Sequence, residues 1–157
     1  MKLIFKQRLL SLFDSYDIYD DQDQVVFKVE GKLSFGHKLL IYNVHDELVG
    51  MIKEELLTFM PRFALYKNNQ YVGSIRKVFQ LFKPAYVLDY LNWSIEGEIM
   101  EWNYDIYDEN HQRVAKIDKE LLHLTDTYIL DVEDFQYALD VLMIALAIDI
   151  EKCSRQK

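Results

Sequence analysis

The chain contains a single cysteine, Cys153, two prolines and five glycines in 157 residues. One thiol excludes an intramolecular disulfide framework and any zinc site assembled from several thiolates. So little Gly and Pro leaves no segment with linker composition, and 157 residues is the size of one domain. Positive charge is also short: 18 Lys and Arg stand against 26 Asp and Glu, a formal net charge of −8. A general nucleic-acid or anionic-membrane binder needs a net cationic field, so this balance argues against both. Long apolar runs are missing too. At the amino terminus, Leu3-Ile4-Phe5 lies between Lys2 and Lys6, whereas a signal peptide needs an apolar run of ~7–15 residues. Val141–Ile148 is apolar throughout but bounded by Asp140 and Asp149, far short of the ~20 residues of a membrane-crossing helix. The expectation is a cytoplasmic chain.

What is abundant is apolar and aromatic: 50% and 14% of the residues, which excludes a disordered chain. These residues come in repeated hairpins. Leu39–Asn43 is followed by a polar turn and Val49–Lys53; Phe63–Lys67 by Asn68-Asn69-Gln70 and Val72–Arg76; Tyr104–Asp108 by Glu109–Arg113 and Val114–Asp118. A weaker copy runs from Asp17–Asp20 through Asp21-Gln22-Asp23 to Val25–Val29. Each reads as strand, Asp/Asn-rich turn, strand. A longer duplication overlies them. Val29-Glu30-Gly31 matches Ile95-Glu96-Gly97 at an offset of 66, and Tyr42, Ile52 and Glu55-Leu56-Leu57 match Tyr107, Ile117 and Glu120-Leu121-Leu122 at an offset of 65. The halves run over about 17–76 and 86–132. Within the hairpins, Gly50, Gly73 and Ala115 each precede an Ile by two positions, which places small and bulky residues on one strand face. That fits strands wrapping a thick central object.

The last segment, about 133–152, has no Gly or Pro, and Phe135, Leu139, Leu142, Met143 and Leu146 recur at helical spacing. Asp140 and Asp149 fall half a turn out of phase at ~100° per residue, so no polar face joins them. A helix that is apolar all round must be enclosed. The segments predict about twelve strands, among them Leu48–Leu57, Tyr71–Phe82 and Ala85–Asp89, closed into an antiparallel barrel around this helix. A lipocalin-like barrel with an open lumen would need a helix with one polar side.

Phe5-Lys6-Gln7, the paired Glu30-Gly31 and Glu96-Gly97, and the hairpin strands Val49–Lys53 and Val114–Ile117 keep a characteristic order, closed by Ala145-Leu146-Ala147-Ile148-Asp149. Over nearly the whole chain this resembles the LURP-one-related family, relatives of the tubby C-terminal domain and of phospholipid scramblases. The resemblance implies a twelve-stranded barrel threaded by a hydrophobic helix. It also implies a binding role, because tubby-like domains hold phosphoinositides through clustered basic residues and scramblase relatives act at membranes. No residue of this chain matches that lipid-binding motif.

Catalytic signals are weak. His37, His45, His111 and His123 have no metal-ligand spacing, and Asp20–Asp23 lacks the Gly and Glu of a calcium loop. No phosphate loop, nucleophile elbow or zinc-protease motif occurs. The expectation is therefore a non-catalytic module with no cofactor and no metal. Arg76, Lys77 and Lys83 flank the aromatic stretch Val78–Phe82, and Lys2, Lys6 and Arg8 form a second basic group. These six are the candidate contacts for an anionic lipid headgroup at a membrane surface. A protein-interaction scaffold is the alternative, and a small-molecule enzyme the remote one.

Overall fold

A computed structural model of the chain describes residues 1–6, 15–122 and 125–155; side chains at 6, 33, 121–122, 125–126 and 153–155 lie outside that description. Twelve strands form one antiparallel sheet: β1 (Lys2–Lys6), β2 (Ser15–Tyr19), β3 (Val25–Ser34), β4 (Gly36–Tyr42), β5 (Leu48–Glu55), β6 (Arg62–Lys67), β7 (Gln70–Gln80), β8 (Lys83–Asp89), β9 (Ser94–Glu98), β10 (Asn103–Tyr107), β11 (Arg113–Leu122) and β12 (Thr125–Val132). Their order is β8-β7-β6-β5-β4-β3-β2-β1-β12-β11-β10-β9. The sheet curls into a nearly closed barrel. β8 and β9, its two ends, approach each other, but no ladder joins them among the described residues.

The turn chemistry sets the hairpins. At 20–24, 43–47 and 108–112 the first side chain (Asp20, Asn43, Asp108) accepts backbone N–H bonds from the residues two and four places on, at 2.8–3.1 Å. The fourth residue of each turn, Asp23, Asp46 or His111, takes a positive φ of 58–59°. Short polar side chains tolerate that conformation and substitute for backbone partners.

Helix α1 (Ala138–Arg155) runs up the barrel, preceded by a 3-10 turn at Phe135–Tyr137 whose N-cap Asp134 accepts from the Gln136 N–H at 3.1 Å. Val141 through Ile148 are buried without interruption, so the helix is enclosed on every side. The small inner-face residues make room for it. A Cβ on Gly50 would lie 3.1 Å from Leu139 Cδ1 and 3.3 Å from Met143 Sδ. Ile52, Ile75 and Ile117 are buried as the period-two reading predicts.

Successive strands from β2 to β8 alternate in direction, so alternate connections share an end. The polar turns at 20–24, 43–47 and 68–69 lie at the end where α1 begins. The connections after β3, β5 and β7 lie at the other end, called here the tip end.

Candidate functional site

The outer wall of β3–β8 gathers basic residues near the tip end. Register places Lys32 directly opposite Lys38, and Lys38 directly opposite Lys53, forming a row of three lysines across three strands. All three face outward, alternating with the buried Gly31, Leu39 and Ile52. One strand further, Arg62 lies opposite Arg76. Like charges directly opposite each other destabilise a sheet, by a few tenths of a kcal/mol to ~1 kcal/mol per pair. Acidic neighbours offset part of this: Lys32 sits 3.5 Å from Glu30, Arg62 3.2 Å from Glu55 and Arg76 3.1 Å from Asp89. Among the described residues, Lys38, Lys53 and Lys83 have no acidic partner within 4.0 Å.

Above this wall three hairpin tips carry apolar side chains to the solvent. Phe35 joins β3 to β4, Leu57 and Phe59 lie between β5 and β6, and Leu81-Phe82 joins β7 to β8. Lys32 and Lys38 are three residues below Phe35, about 10 Å along their strands.

The sequence-predicted contacts divide. Arg76 and Lys83 face outward on this wall. Lys77 does not join them, and this corrects the expectation: it is 2% exposed, inside the barrel, with Nζ 3.1 Å from Glu151 Oε1 of α1. Period two explains the split. Lys77 continues the inward series Gly73, Ile75, whereas Arg76 is one residue out of phase. Lys2 is exposed on β1 at the opposite end from Lys83. The backbone of Lys6 is in β1, its side chain is outside the described set, and Arg8 lies wholly outside the described residues. The six therefore do not form one patch; the outward pair joins Lys32, Lys38, Lys53 and Arg62 instead.

Lys77 belongs to a buried polar pair of triads that sequence reasoning missed. Tyr86 donates its hydroxyl to the second oxygen of Glu151. At the other end of α1, Asp140 accepts from Lys67 Nζ at 2.9 Å and from the Tyr90 hydroxyl. Burial pushes Tyr90 far above the usual phenol range, and the Asp140 hydrogen bond and charge add to it. Asp140 and Glu151 are eleven residues apart, three helical turns at ~100° per residue, so both point at β6–β8. Comparing Asp140 with Glu151 instead of Asp149 would have found them.

Near the site, His37 Nδ1 lies 2.7 Å from Glu54 Oε2, and His111 stacks on Tyr107 at 4.4 Å at the opposite end. Among the described residues, no three His, Cys, Asp or Glu side chains are placed to hold a metal ion, and no helix is long and apolar enough to cross a membrane.

Comparison with known proteins places the chain in a family. The family described as LURP-one-related matches residues 1–149. The uncharacterized protein YxjI of Bacillus subtilis (strain 168) is 28% identical over 151 residues, covering 96% of this chain and 93% of that protein. With its family model matching all but the last eight residues, the chain belongs to the LURP-one-related family.

Proposed function

We propose that the protein is a binding module that docks on an anionic phospholipid surface through the tip-end wall of β3–β8. The row Lys32–Lys38–Lys53 carries this reading. Three lysines in register cost sheet stability, and a fold tolerates such a local conflict where a ligand resolves it. Phosphate oxygens are that ligand, since each Lys or Arg held near an anionic bilayer contributes about 1 kcal/mol. The net charge of −8 opposes general attraction to an anionic surface, so binding rests on a focused patch, with Asp20, Asp21, Asp23, Asp46 and Glu47 in the turns at the opposite end. At physiological salt a bilayer feels charges only within a Debye length of ~8 Å. Outward lysines on β3–β5 favour a surface-bound barrel over a spanning one, whose outer face must be apolar. The resemblance to phospholipid-handling relatives points the same way.

Flotation tests it: neutral vesicles against vesicles carrying phosphatidylglycerol or phosphoinositides, at low and physiological salt. Binding should require the anionic lipid and weaken with salt. Absence of binding at low salt, where attraction is greatest, would sink the proposal and leave a protein partner as the reading to pursue.

A further inference from the structure

The tip-end connections are chemically unlike those at the other end. Leu57, Phe59, Leu81 and Phe82 are 105%, 99%, 89% and 102% exposed, and Phe35 is 85% exposed. Of the twelve exposed large apolar side chains among the described residues, seven lie in or beside these three connections. The connections at the end where α1 begins have four in or beside them, Val44, Tyr71, Leu91 and Phe135, each alone in its own segment.

The sharpest contrast is between two turns of the same geometry. Asn68-Asn69 links β6 to β7 between the paired residues Lys67 and Gln70, with φ of 49° and 64°. Leu81-Phe82 links β7 to β8 between the paired residues Gln80 and Lys83, with φ of 50° and 65°. Two consecutive positive φ angles define the tight hairpin turn that Asn and Gly occupy at least cost. Leucine and phenylalanine resist that backbone and gain nothing from burial here, being fully exposed. Leu57 repeats the conflict at φ 67°. Neither turn formation nor core packing accounts for these residues, whereas an apolar phase that receives them does.

Resting on the membrane-surface reading above, we infer that the three hairpin tips insert their apolar side chains into the acyl-chain boundary of the anionic bilayer, while the lysines behind them meet the headgroups. The occupant is a bilayer because the apolar residues sit on three separate protruding tips backed by bases. Lys83 follows Phe82 directly, and Lys32 and Lys38 stand about 10 Å behind Phe35, the depth of a headgroup layer. Insertion fixes the orientation, with the acidic turns facing away from the membrane.

The experiment pairs a turn-restoring variant with an environmental probe. L81N/F82G supplies the residues this turn prefers, so the thermal midpoint should hold or rise, while partition onto phosphatidylglycerol vesicles should fall at least tenfold. A residue with a merely structural role would lower the midpoint. In the full-length chain carrying Cys153→Ser, an NBD fluorophore is attached at Phe59→Cys or at Glu109→Cys. The probe at 59 should shift to the blue on adding anionic vesicles, and the probe at 109 should not. Wild-type flotation with an unchanged L81N/F82G partition, or with an unshifted probe at 59, overturns insertion and leaves the electrostatic docking standing. A blue shift at 59 that grows with protein concentration in the absence of lipid also overturns it, because the tips would then be covering a second copy. No flotation of the wild type at low salt removes both readings.

Discussion

Removing one partner of the Lys77–Glu151 pair should be far more damaging than removing both. Lys77 Nζ and Glu151 Oε1 are 3.1 Å apart with side chains 1% and 2% exposed, so neither charge has recourse to water. Lys77→Met takes this cation from a buried carboxylate, a change that costs up to about 3–5 kcal/mol. Against a total stability of about 5–15 kcal/mol for a domain, that is a large fraction. In the double variant Lys77→Met/Glu151→Leu no buried charge remains at this position, and apolar replacement of such a pair is often neutral or better. The Tyr86 hydroxyl loses its Glu151 acceptor in the double variant, at a cost of up to about 1–3 kcal/mol. Urea unfolding followed by the fluorescence of the buried Trp93 and Trp102 measures each corner of the cycle. The exposed Lys83→Met serves as control, within about 0.5 kcal/mol of the wild type. The reasoning is refuted if Lys77→Met costs less than about 1 kcal/mol, or if the double variant loses the sum of the two singles.

Three further outcomes follow from the barrel interior. Gly73→Ala should destabilise by about 1–3 kcal/mol, because its Cβ would stand 2.4 Å from the Asp89 carbonyl oxygen; Gly50→Ala presses on the side chains of Leu139 and Met143, with Ile41 Cβ at an ordinary 3.5 Å, and should cost less, a ranking that thermal melts check. Leu142→Asp should prevent folding, since an unpaired charge at the centre of α1 costs several kcal/mol; a native circular-dichroism spectrum would contradict the enclosed helix. Burial raises Tyr90 and Tyr104 well above the ordinary value of 10.0, with Asp140 and Asp149 respectively adding to it. The folded state then holds these protons more tightly, so their contribution is complete below pH ~10 and declines as the pH climbs above it. Absorbance at alkaline pH should show both phenols ionising only with unfolding, and ionisation in the native state would refute their burial.

Much of the fold was legible because its signals are local. The Asp and Asn residues that open the turns at 20, 43 and 108 announce the hairpins, and the apolar run through Val141–Ile148 announces an enclosed helix. The site was legible only in part. Arg76 and Lys77 look like a cluster because they are adjacent, yet adjacency in a strand means opposite faces, and the inward series Gly73, Ile75 already predicted where Lys77 points. The lysine row depends on the register of β3, β4 and β5, which a single sequence does not specify. The Leu81-Phe82 turn stayed hidden because it contains no turn residues, so the predicted strand runs from Tyr71 through Phe82, past the observed end at Gln80. The missing turn chemistry that misled the boundary is the same feature that marks the tip.

The most direct test of the membrane-docking account is the partition of Lys38→Glu onto anionic vesicles, measured alongside its unfolding free energy. Lys38 stands between Lys32 and Lys53, so a carboxylate there converts two like-charge neighbours into opposite ones and should raise stability by about 0.5–1 kcal/mol. The same change alters the charge facing the bilayer by two, about 2 kcal/mol, a roughly thirtyfold loss of partition. The comparison is Lys116→Glu on β11, outside the wall, whose partition should match the wild type. A more stable protein that has lost its vesicles is the predicted result; a Lys38→Glu variant that binds anionic vesicles as the wild type does would contradict it.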